Sequence, residues 1–221
     1  MNSGDIANQY DIIAHKFDKS RVRIWNNVKK FIEDNDILNT NKLLDAGCGN
    51  GKNSLYAKQF NYDVTSFDIS SELIKICKDK GLNIHYNNIL DCDDNLMNIY
   101  DKCICIAVIH HIDSMELQCK AIINLLNYLK NKGELLISVW SYEKNDELNY
   151  REFHQIGHNY IEWDKEPVKR YYYIHDKESF INLIEMVENN IDGFQIDYEI
   201  TWERQNWFCK IVKNSTYLCK I

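Results

Sequence analysis

The stretch "KLLDAGCGNGKN", residues 42–53, joins a short apolar run to three closely spaced glycines and the start of a helix-like segment. The apolar run predicts a buried β-strand, and the residues from 53 to 60 have helical spacing. Glycines at 47, 49 and 51 allow the backbone to turn sharply and to approach a ligand closely, with the helix N-terminus directed at it. The stretch therefore predicts a ligand-binding loop between a strand and a helix.

Strand and helix patterns alternate through the first 140 residues, which indicates a parallel sheet wrapped by helices. Strands are expected at 42–47, 62–68, 82–87, 101–109 and 133–140, with helices between them. Two further strands, 194–203 and 206–213, are separated only by Arg204 and Gln205, a gap that favours an antiparallel hairpin. We predict a single α/β domain over 1–221: a Rossmann-like, seven-stranded, mostly parallel sheet with a terminal hairpin and helices on both faces.

Two flanking regions complete the predicted organisation. Helical patterns at 6–17 and 21–33 indicate an N-terminal helical cover over residues 1–35. Residues 141–175 are polar and aromatic with little periodicity, so we expect an insertion or lid there. His154 and His158 have the spacing of two metal ligands on a helix, but no third ligand lies nearby in sequence, so we predict no metal site.

Composition narrows the class of protein. A chain of 221 residues with 45% hydrophobic content can form one domain with a full core. No apolar run reaches the roughly 20 residues that span a bilayer, and the first residues lack the pattern of a signal peptide, so we expect a soluble cytoplasmic protein without membrane association. The eight scattered cysteines form no CxxC pair and indicate reduced thiols. The formal net charge of −7 argues weakly against a large nucleic-acid footprint.

The glycine spacing differs from that of dinucleotide-binding loops. A dinucleotide fingerprint would need glycine at position 52, which is Lys52. GxGxG after "LLD" instead resembles motif I of class I methyltransferases, whose cofactor is S-adenosylmethionine. Asp68 ends the second strand, where it can accept both ribose hydroxyls, although it could also be a helix N-terminal acid stabilised by the helix dipole. The resemblance implies Asp45 near the methionine ammonium and Asn88 and Ile89 at the adenine, with further contacts from Gly47, Cys48, Gly49, Gly51, Ile69 and Ala107.

The stretch "CICIAVIHH", 103–111, ends a buried strand in two adjacent histidines. The chain has one proline, Pro167, so the proline-containing motifs of amino-nitrogen and cytosine-C5 methyltransferases are absent after this strand. "IAVIHHI" (106–112) closely resembles the methyltransferases that esterify the carboxymethyl group of tRNA wobble uridine. "YDIIAHKFDKSRVRIWNNV" (10–28), "LLISVW" (135–140), "KRYYYI" (169–174) and "WERQNWF" (202–208) also resemble elements of that family.

The resemblance implies a tRNA substrate and a heterodimer with a small zinc-binding activator subunit, which adds a strand beside the edge of the sheet. The third strand, 82–87, is the expected edge, and it carries no lysine or proline to block pairing. Basic residues cluster unevenly, and we expect them to form a positive rim around the cleft: Lys16, Lys19, Arg21, Arg23, Lys29, Lys30, Lys165, Lys169, Arg170 and Arg204.

A carboxylate is already ionised at neutral pH, so its methylation needs orientation rather than a general base. We expect His111, or less readily His110, to face the reacting carboxymethyl group. Arg21 and Arg204 are candidates for holding an anion, and Trp140 can stack on the uracil. Two other functions stay open. The acidic net charge favours an O-methyltransferase for a small carboxylic or phenolic metabolite, and the fold alone would also suit a catalytically silent binding module.

Overall fold

The computed structural model describes residues 3–34, 41–145, 151–163 and 166–215. This part of the chain contains six α-helices: α1 (Ser3–Ser20), α2 (Asn26–Glu33), α3 (Lys52–Lys58), α4 (Ser71–Asp79), α5 (Met115–Tyr128) and α6 (Lys177–Asn190). None of the helices described is long and apolar enough to cross a bilayer.

Seven strands form the main sheet in the order β3-β2-β1-β4-β5-β9-β8. They are β1 (Lys42–Ala46), β2 (Asp63–Asp68), β3 (Ile84–Tyr86), β4 (Tyr100–Ile106), β5 (Leu129–Trp140), β8 (Phe194–Trp202) and β9 (Asn206–Ser215). The first five pair in parallel, whereas β9 is antiparallel to both β5 and β8. The predicted fold class, a mostly parallel seven-stranded sheet with a terminal hairpin, is therefore confirmed.

Helices cover both faces of this sheet. On one face, α5 and α6 pack their apolar sides over alternate residues of the central strands, such as Leu44 and Ile137. On the other face, α2 and α3 pack over the residues of opposite parity, such as Leu43 and Ile104. Because successive residues of a strand point to opposite faces, a strand segment covered on both sides must be apolar at every position, as Cys103–Ile106 of β4 is.

A second sheet lies within the region expected to be an irregular insertion. It consists of the antiparallel strands β6 (Gly157–Trp163) and β7 (Glu166–Ile174). Tyr171 and Tyr172 are consecutive residues of β7 and both are buried, so the strand has no alternation of polar and apolar residues to reveal it. The polar and aromatic composition of 141–175 was therefore misleading about its local structure.

Two element boundaries also differ from the expectation. Strand β4 ends at Ile106 rather than near residue 109, because Ala107 adopts a left-handed conformation (φ 61°) and the chain continues into a 3₁₀ turn, Ile109–His111. Helix α5 ends at Tyr128, and β5 begins at once at Leu129 with a bulge in its pairing to β4.

The β8–β9 hairpin turns through two residues, as predicted. Glu203 and Asn206 exchange backbone hydrogen bonds across the turn. Arg204 (φ 48°) and Gln205 (φ 60°) both have positive φ, which is the requirement of the type I′ turn that matches strand twist. Neither residue is one of those that adopt this conformation readily, so the surrounding contacts must hold it.

The N-terminal helix α1 is fastened over the carboxyl ends of the parallel strands at two places. Asp11 accepts hydrogen bonds from the Ser70 hydroxyl (2.5 Å) and the Glu72 backbone N–H (3.0 Å) at the start of α4. Asp18 accepts from Asn50 of the glycine loop (3.1 Å) and pairs with Lys80 (2.5 Å). The predicted cover is therefore formed by α1, whereas α2 packs on the sheet.

The seven cysteines in the described residues are free thiols, which agrees with the expectation of reduced side chains. Six of them are buried, and Cys92 is exposed. Cys219 lies outside the described residues.

Gly51 and Gly81 have nearly equal φ but different surroundings, so substituting each by alanine distinguishes the cost of backbone strain from the cost of overpacking. A Cβ at Gly51 (φ 74°) would lie 2.3 Å from Leu82 Cδ1, whereas a Cβ at Gly81 (φ 73°) would meet nothing within 4 Å. Gly81→Ala should lower the free energy of unfolding by about 1 kcal/mol through strain alone. Gly51→Ala should cost about 2 kcal/mol more because it also overpacks the core. Urea denaturation checks this, and equal losses in the two variants would contradict the packing at Gly51.

Candidate functional site

A cavity of about 370 Å³ lies at the carboxyl ends of the parallel strands, beneath α1. Of the residues predicted to bind the cofactor, its lining includes Gly47, Cys48, Gly49, Asp68, Ile69 and Ala107. Asn88 and Ile89 also line it, on the loop after β3. Ligands of open α/β sheets bind at this end of the strands, so the structure brings most of the predicted residues to the expected place.

Asp68 organises the glycine loop. One carboxylate oxygen accepts the backbone N–H of Gly49 (2.8 Å) and the other accepts that of Ser70 (2.9 Å). Burial raises the pKa of this carboxyl, and the backbone N–H groups partly offset that effect. The backbone N–H of Ile69 bonds to the same carboxylate, whose four lone pairs still leave room for a ligand hydroxyl.

Gly47 permits close contact between the glycine loop and the segment after β4. A Cβ there would lie 2.6 Å from Val108 Cγ2, and the residue has a φ of 71°. The neighbouring Ala107 has positive φ as well, and its N–H donates to the Ser138 carbonyl (3.1 Å) and hydroxyl (3.0 Å). Left-handed backbone in a non-glycine residue is uncommon and is concentrated at ligand sites.

Two predicted cofactor residues lie behind the cavity rather than on its wall. Gly51 begins α3 and packs against Leu82. Asp45 is buried and accepts a hydrogen bond from the Ser54 hydroxyl (2.5 Å), so its carboxyl acts within the protein rather than as a direct ligand contact in this structure. Burial, followed by the nearby charge of Asp68, raises the pKa of Asp45 to about 7.

The two histidines after β4 have different environments. His111 has both ring nitrogens bonded within the protein: Nδ1 lies 2.8 Å from the Tyr171 carbonyl oxygen, and Nε2 lies 2.8 Å from the Tyr10 hydroxyl. A carbonyl oxygen only accepts, so Nδ1 carries the proton and Nε2 accepts from Tyr10. Burial lowers the pKa of His111 to about 3.

His110 has one ring nitrogen bonded and one without a partner. The Trp140 backbone N–H donates to Nδ1 (3.0 Å), so in the neutral ring Nε2 carries the proton. Nε2 is buried with no hydrogen-bond partner in the described structure, and the residue lines the cavity. Burial, together with the nearby charges of Arg170 and Arg151, holds the pKa of His110 well below its ordinary value. His110, rather than the preferred candidate His111, therefore presents a neutral donor for a ligand.

Trp140 lines the cavity but is almost fully covered, with 6% of its surface exposed. The Tyr172 ring is stacked on it at 4.1 Å with an angle of 9° between the planes. The Arg151 guanidinium lies 4.0 Å from the Trp140 ring. A uracil could therefore stack on Trp140 only if one of these neighbours moved.

Four cations line the cavity: Arg21, Lys52, Arg151 and Arg170. Within the described part of the chain, none of the four forms an ion pair with a carboxylate. Burial and the charge of Arg21 lower the pKa of Lys52 to about 8, and burial and the charge of Arg170 lower the pKa of Arg21. Cations that are not paired with a carboxylate can attract an anionic ligand.

Sequence reasoning missed the role of Arg151 and misplaced that of Arg204. Arg204 is exposed in the β8–β9 turn and does not line the cavity. Its neighbour Gln205 is buried, accepts from the Arg151 N–H (2.9 Å) and donates to the Arg151 carbonyl (2.8 Å). The turn thus holds Arg151 at the cavity, a contact between residues 54 apart that no local sequence pattern reveals.

The basic rim expected from the sequence is only partly present at the cavity. Of those ten residues, Arg21 and Arg170 line it. Lys169 is exposed and pairs with Glu162 (3.1 Å), and Lys165 lies outside the described residues. His154 and His158 do not share a helix, since His158 lies on β6, and among the described residues no cluster could hold a metal ion.

Comparison with known proteins identifies the family. A family model described as a methyltransferase domain matches residues 16–185. The chain belongs to this methyltransferase domain family. A Methanosarcina mazei protein described as a SAM-dependent methyltransferase has the same fold, with a TM-score of 0.64, 17% identity, and coverage of 87% of this chain and 98% of that one.

Two curated relatives of this methyltransferase carry the same name, tRNA (carboxymethyluridine(34)-5-O)-methyltransferase. The Arabidopsis thaliana protein is 34% identical over 157 residues, which are 69% of this chain and 37% of the relative. The Schizosaccharomyces pombe protein is 26% identical, and the match covers 93% of this chain and 94% of the relative. The chain thus spans about a third of the plant relative's length and nearly all of the yeast one's.

The buried carboxyl of Asp45 makes stability depend on pH. The pKa of Asp45 is higher in the folded protein than in the unfolded chain. The stability that this carboxyl contributes is therefore fully present below about pH 4 and is lost as the pH rises towards 7. Asp45→Asn keeps a neutral group there. The variant should therefore gain about 4 kcal/mol in free energy of unfolding over the native methyltransferase at pH 8, and the gain should shrink towards pH 4.

Chemical denaturation across this pH range measures the difference between the two proteins. Asp63→Asn, at the exposed opposite end of β2, is the control and should leave the pH dependence unchanged. A gain that did not vary with pH would contradict the burial of an ionisable carboxyl at position 45.

Proposed function

We propose that this chain is an S-adenosylmethionine-dependent enzyme that methylates the carboxylate of 5-carboxymethyluridine at the wobble position of tRNA. The observation that carries the proposal is the buried His110 Nε2–H beside three arginines. Among the residues the structure describes, this donor has no hydrogen-bond partner and the arginines have no acidic partner. Such a set fits a ligand carboxylate. The names of the plant and yeast relatives support the choice of substrate.

The cofactor fits the half of the cavity formed by the glycine loop. The contact between Gly47 and Val108 leaves no room for a side chain, so the backbone itself can approach a ligand. Asp68 can accept a ribose hydroxyl, and the position of Asn88 and Ile89 on the cavity lining supports an adenine site between them and the glycine loop. When bound, S-adenosylmethionine supplies an electrophilic methyl group.

The other half of the cavity, lined by His110, Arg151 and Arg170, would orient the substrate carboxylate without acting as a general base. The acid is ionised at neutral pH, so its oxygen can attack without losing a proton. The His110 Nε2–H holds the carboxylate by one hydrogen bond, which leaves the other oxygen free to react. Arg151 and Arg170 supply a positive field for the acid and a neighbouring phosphate. Helix α1 covers the cavity and limits the entry of water.

The acidic net charge favoured a small metabolite as substrate, and the distribution of charge answers that objection. Four cations line the cavity, where they can bind an RNA phosphate locally despite the total of −7. The relatives' names disfavour the small-metabolite alternative. A silent binding module would have no need of the unpartnered donor beside the cofactor half.

Mass spectrometry of tRNA nucleosides tests the reaction. RNA lacking the methyl ester is incubated with the protein and S-adenosylmethionine, and 5-methoxycarbonylmethyluridine should accumulate. Binding of the cofactor without any change in the RNA would support a silent binding module, and esterification of a free carboxylic acid alone would support the metabolite enzyme.

His110→Asn tests the donor. The asparagine carbonyl can still accept the Trp140 N–H, but its amide is too short to replace Nε2, so turnover should fall about a hundredfold while cofactor affinity stays unchanged. Because the native ring is neutral, turnover should show no inflection near pH 6.5. A cationic histidine would instead lose activity as pH rises through that value.

Two variants control this experiment. His175→Asn removes a buried histidine bonded to Gln118 (2.9 Å) outside the cavity, and it should leave turnover near native. His111→Ala should act through the positions of Tyr10 and β7 and raise KM more than it lowers kcat. Native turnover in His110→Asn would remove His110 from the reaction.

We further infer a cytoplasmic enzyme that works with a small zinc-binding activator subunit. The free thiols support a reducing compartment. Strand β3 supports the partner, because it is an edge of the sheet. The backbone groups of Asn83 and Asn87 bond to β2. Backbone groups alternate in direction along a strand, so those of Ile84 and Tyr86 point away from β2, toward the free edge. Tyr86 is 67% exposed, whereas Ile84 is buried in the core.

Tyr86→Pro removes one outward N–H without touching the pairing to β2. It should abolish co-purification with the activator from co-expressing cells, whereas Tyr86→Thr, which keeps the N–H, should retain it. Size-exclusion chromatography measures the complex. A fully active monomer, or a complex that tolerates Tyr86→Pro, would contradict strand addition at this edge.

A further inference from the structure

Asn206, the first residue of β9, lines the cavity and has a buried side-chain acceptor without a partner in the described structure. The side chain is buried at 1% exposure and lines the cavity. Its Nδ2 donates to the backbone carbonyls of Arg204 (2.8 Å) and Glu203 (3.3 Å). Its Oδ1 is buried and has no hydrogen-bond partner in the described structure. The reaction proposed above gives this acceptor no role.

The orientation of this amide is fixed by its surroundings. Carbonyl oxygens only accept, so a flipped amide would place Oδ1 against two acceptors and lose both hydrogen bonds. The β8–β9 turn therefore holds Nδ2 and leaves Oδ1 as the unpaired atom of a residue that lines the cavity. A buried acceptor without a donor costs stability, and it is retained where a ligand supplies the donor.

Asn206 lies beside the residues assigned to the substrate. It pairs across the sheet with Trp140, whose backbone N–H bonds to His110 and whose ring contacts Arg151. The donor proposed for the carboxylate, on His110, and the unpaired acceptor of Asn206 therefore lie on either side of Trp140. A neutral acceptor suits this place, because an aspartate would neutralise the arginines and repel the substrate acid.

We propose that Asn206 is the specificity residue that accepts the N3–H of the uracil ring, an assignment that rests on the proposed function. Uracil N3 carries a proton, whereas cytosine N3 is an acceptor at neutral pH. Cytosine would therefore place an acceptor against Oδ1 and leave both groups unsatisfied. A polar site that rejects a ligand lacking the matching donor discriminates strongly.

The test compares two anticodon stem-loop RNAs that differ only in carrying 5-carboxymethyluridine or 5-carboxymethylcytidine. Equilibrium binding is measured with S-adenosylhomocysteine present, and methyl transfer is measured separately. The native protein should bind the uridine RNA at least tenfold more tightly. Asn206→Ala should lose most of that preference while keeping its cofactor affinity, which shows that the variant is folded.

Asn159→Ala is the matched control. Asn159 is equally buried, but its side chain is fully bonded within the chain: it donates to Gln155 (2.8 Å) and Gly157 (2.9 Å) and accepts from His154 (3.1 Å). This control should keep the native preference. Asn206→Ser, whose hydroxyl can still bond the turn but cannot reach a base, should behave like Asn206→Ala.

The outcomes separate the two proposals. A native protein that binds both RNAs equally, or an Asn206→Ala variant with the native preference, would overturn the proposal that Asn206 recognises the N3–H of uracil. Preferential binding of the uridine RNA that Asn206→Ala abolishes, without methyl transfer by the native protein, would support Asn206 and refute the proposed reaction.

Discussion

The hydrogen bond from the Trp140 backbone N–H to His110 Nδ1, 3.0 Å long, determines what the cavity can do. It joins the end of β5 to the 3₁₀ turn after β4, and it places the imidazole proton on Nε2. Burial keeps the ring neutral, so the proton stays in place across the physiological pH range. A cation at this position would tie up a carboxylate more tightly than methyl transfer requires, whereas a neutral donor orients it.

The second constraint is the separation of charge. The protein is acidic in total, yet its cavity collects three arginines and a lysine without acidic partners in the described chain. The fold maintains this arrangement from several sides. Helix α1 leads to Arg21, β7 carries Arg170, and Gln205 holds the backbone of Arg151. These residues come from distant parts of the sequence and meet only in the folded protein. A bound anion would supply the negative charge that they lack.

Much of the fold could be predicted because it depends on local patterns. The glycine loop, the alternation of strands and helices and the two-residue hairpin each have a short-range physical cause, and the structure has all three. The second sheet could not be predicted from β7, because Tyr171 and Tyr172 are buried on opposite sides of the strand and erase its alternation. In β6 the buried residues Gly157 and Asn159 alternate with the exposed His158 and Tyr160, so the burial pattern does not appear as hydrophobic alternation in the sequence.

The candidate site was predictable where it depends on the cofactor loop and less so on the acceptor side. Sequence pointed to both histidines but preferred His111. It could not show that both nitrogens of the His111 ring are already bonded, because their partners, Tyr10 and Tyr171, lie 101 and 60 positions away. The same distance in sequence hid Arg151 and the free acceptor of Asn206. Sequence patterns report which face of an element is buried, and they do not report which polar atoms are left without partners.

The central claim is that the cavity recognises a carboxylate, and one binding measurement tests it directly. Two anticodon stem-loops, identical except that the wobble uridine carries either a carboxymethyl group or its neutral primary amide, are titrated against the protein with S-adenosylhomocysteine present. The account predicts at least tenfold tighter binding of the acid, because the unpaired arginines and the His110 donor meet a charged acceptor. Equal affinity for the two RNAs would contradict it.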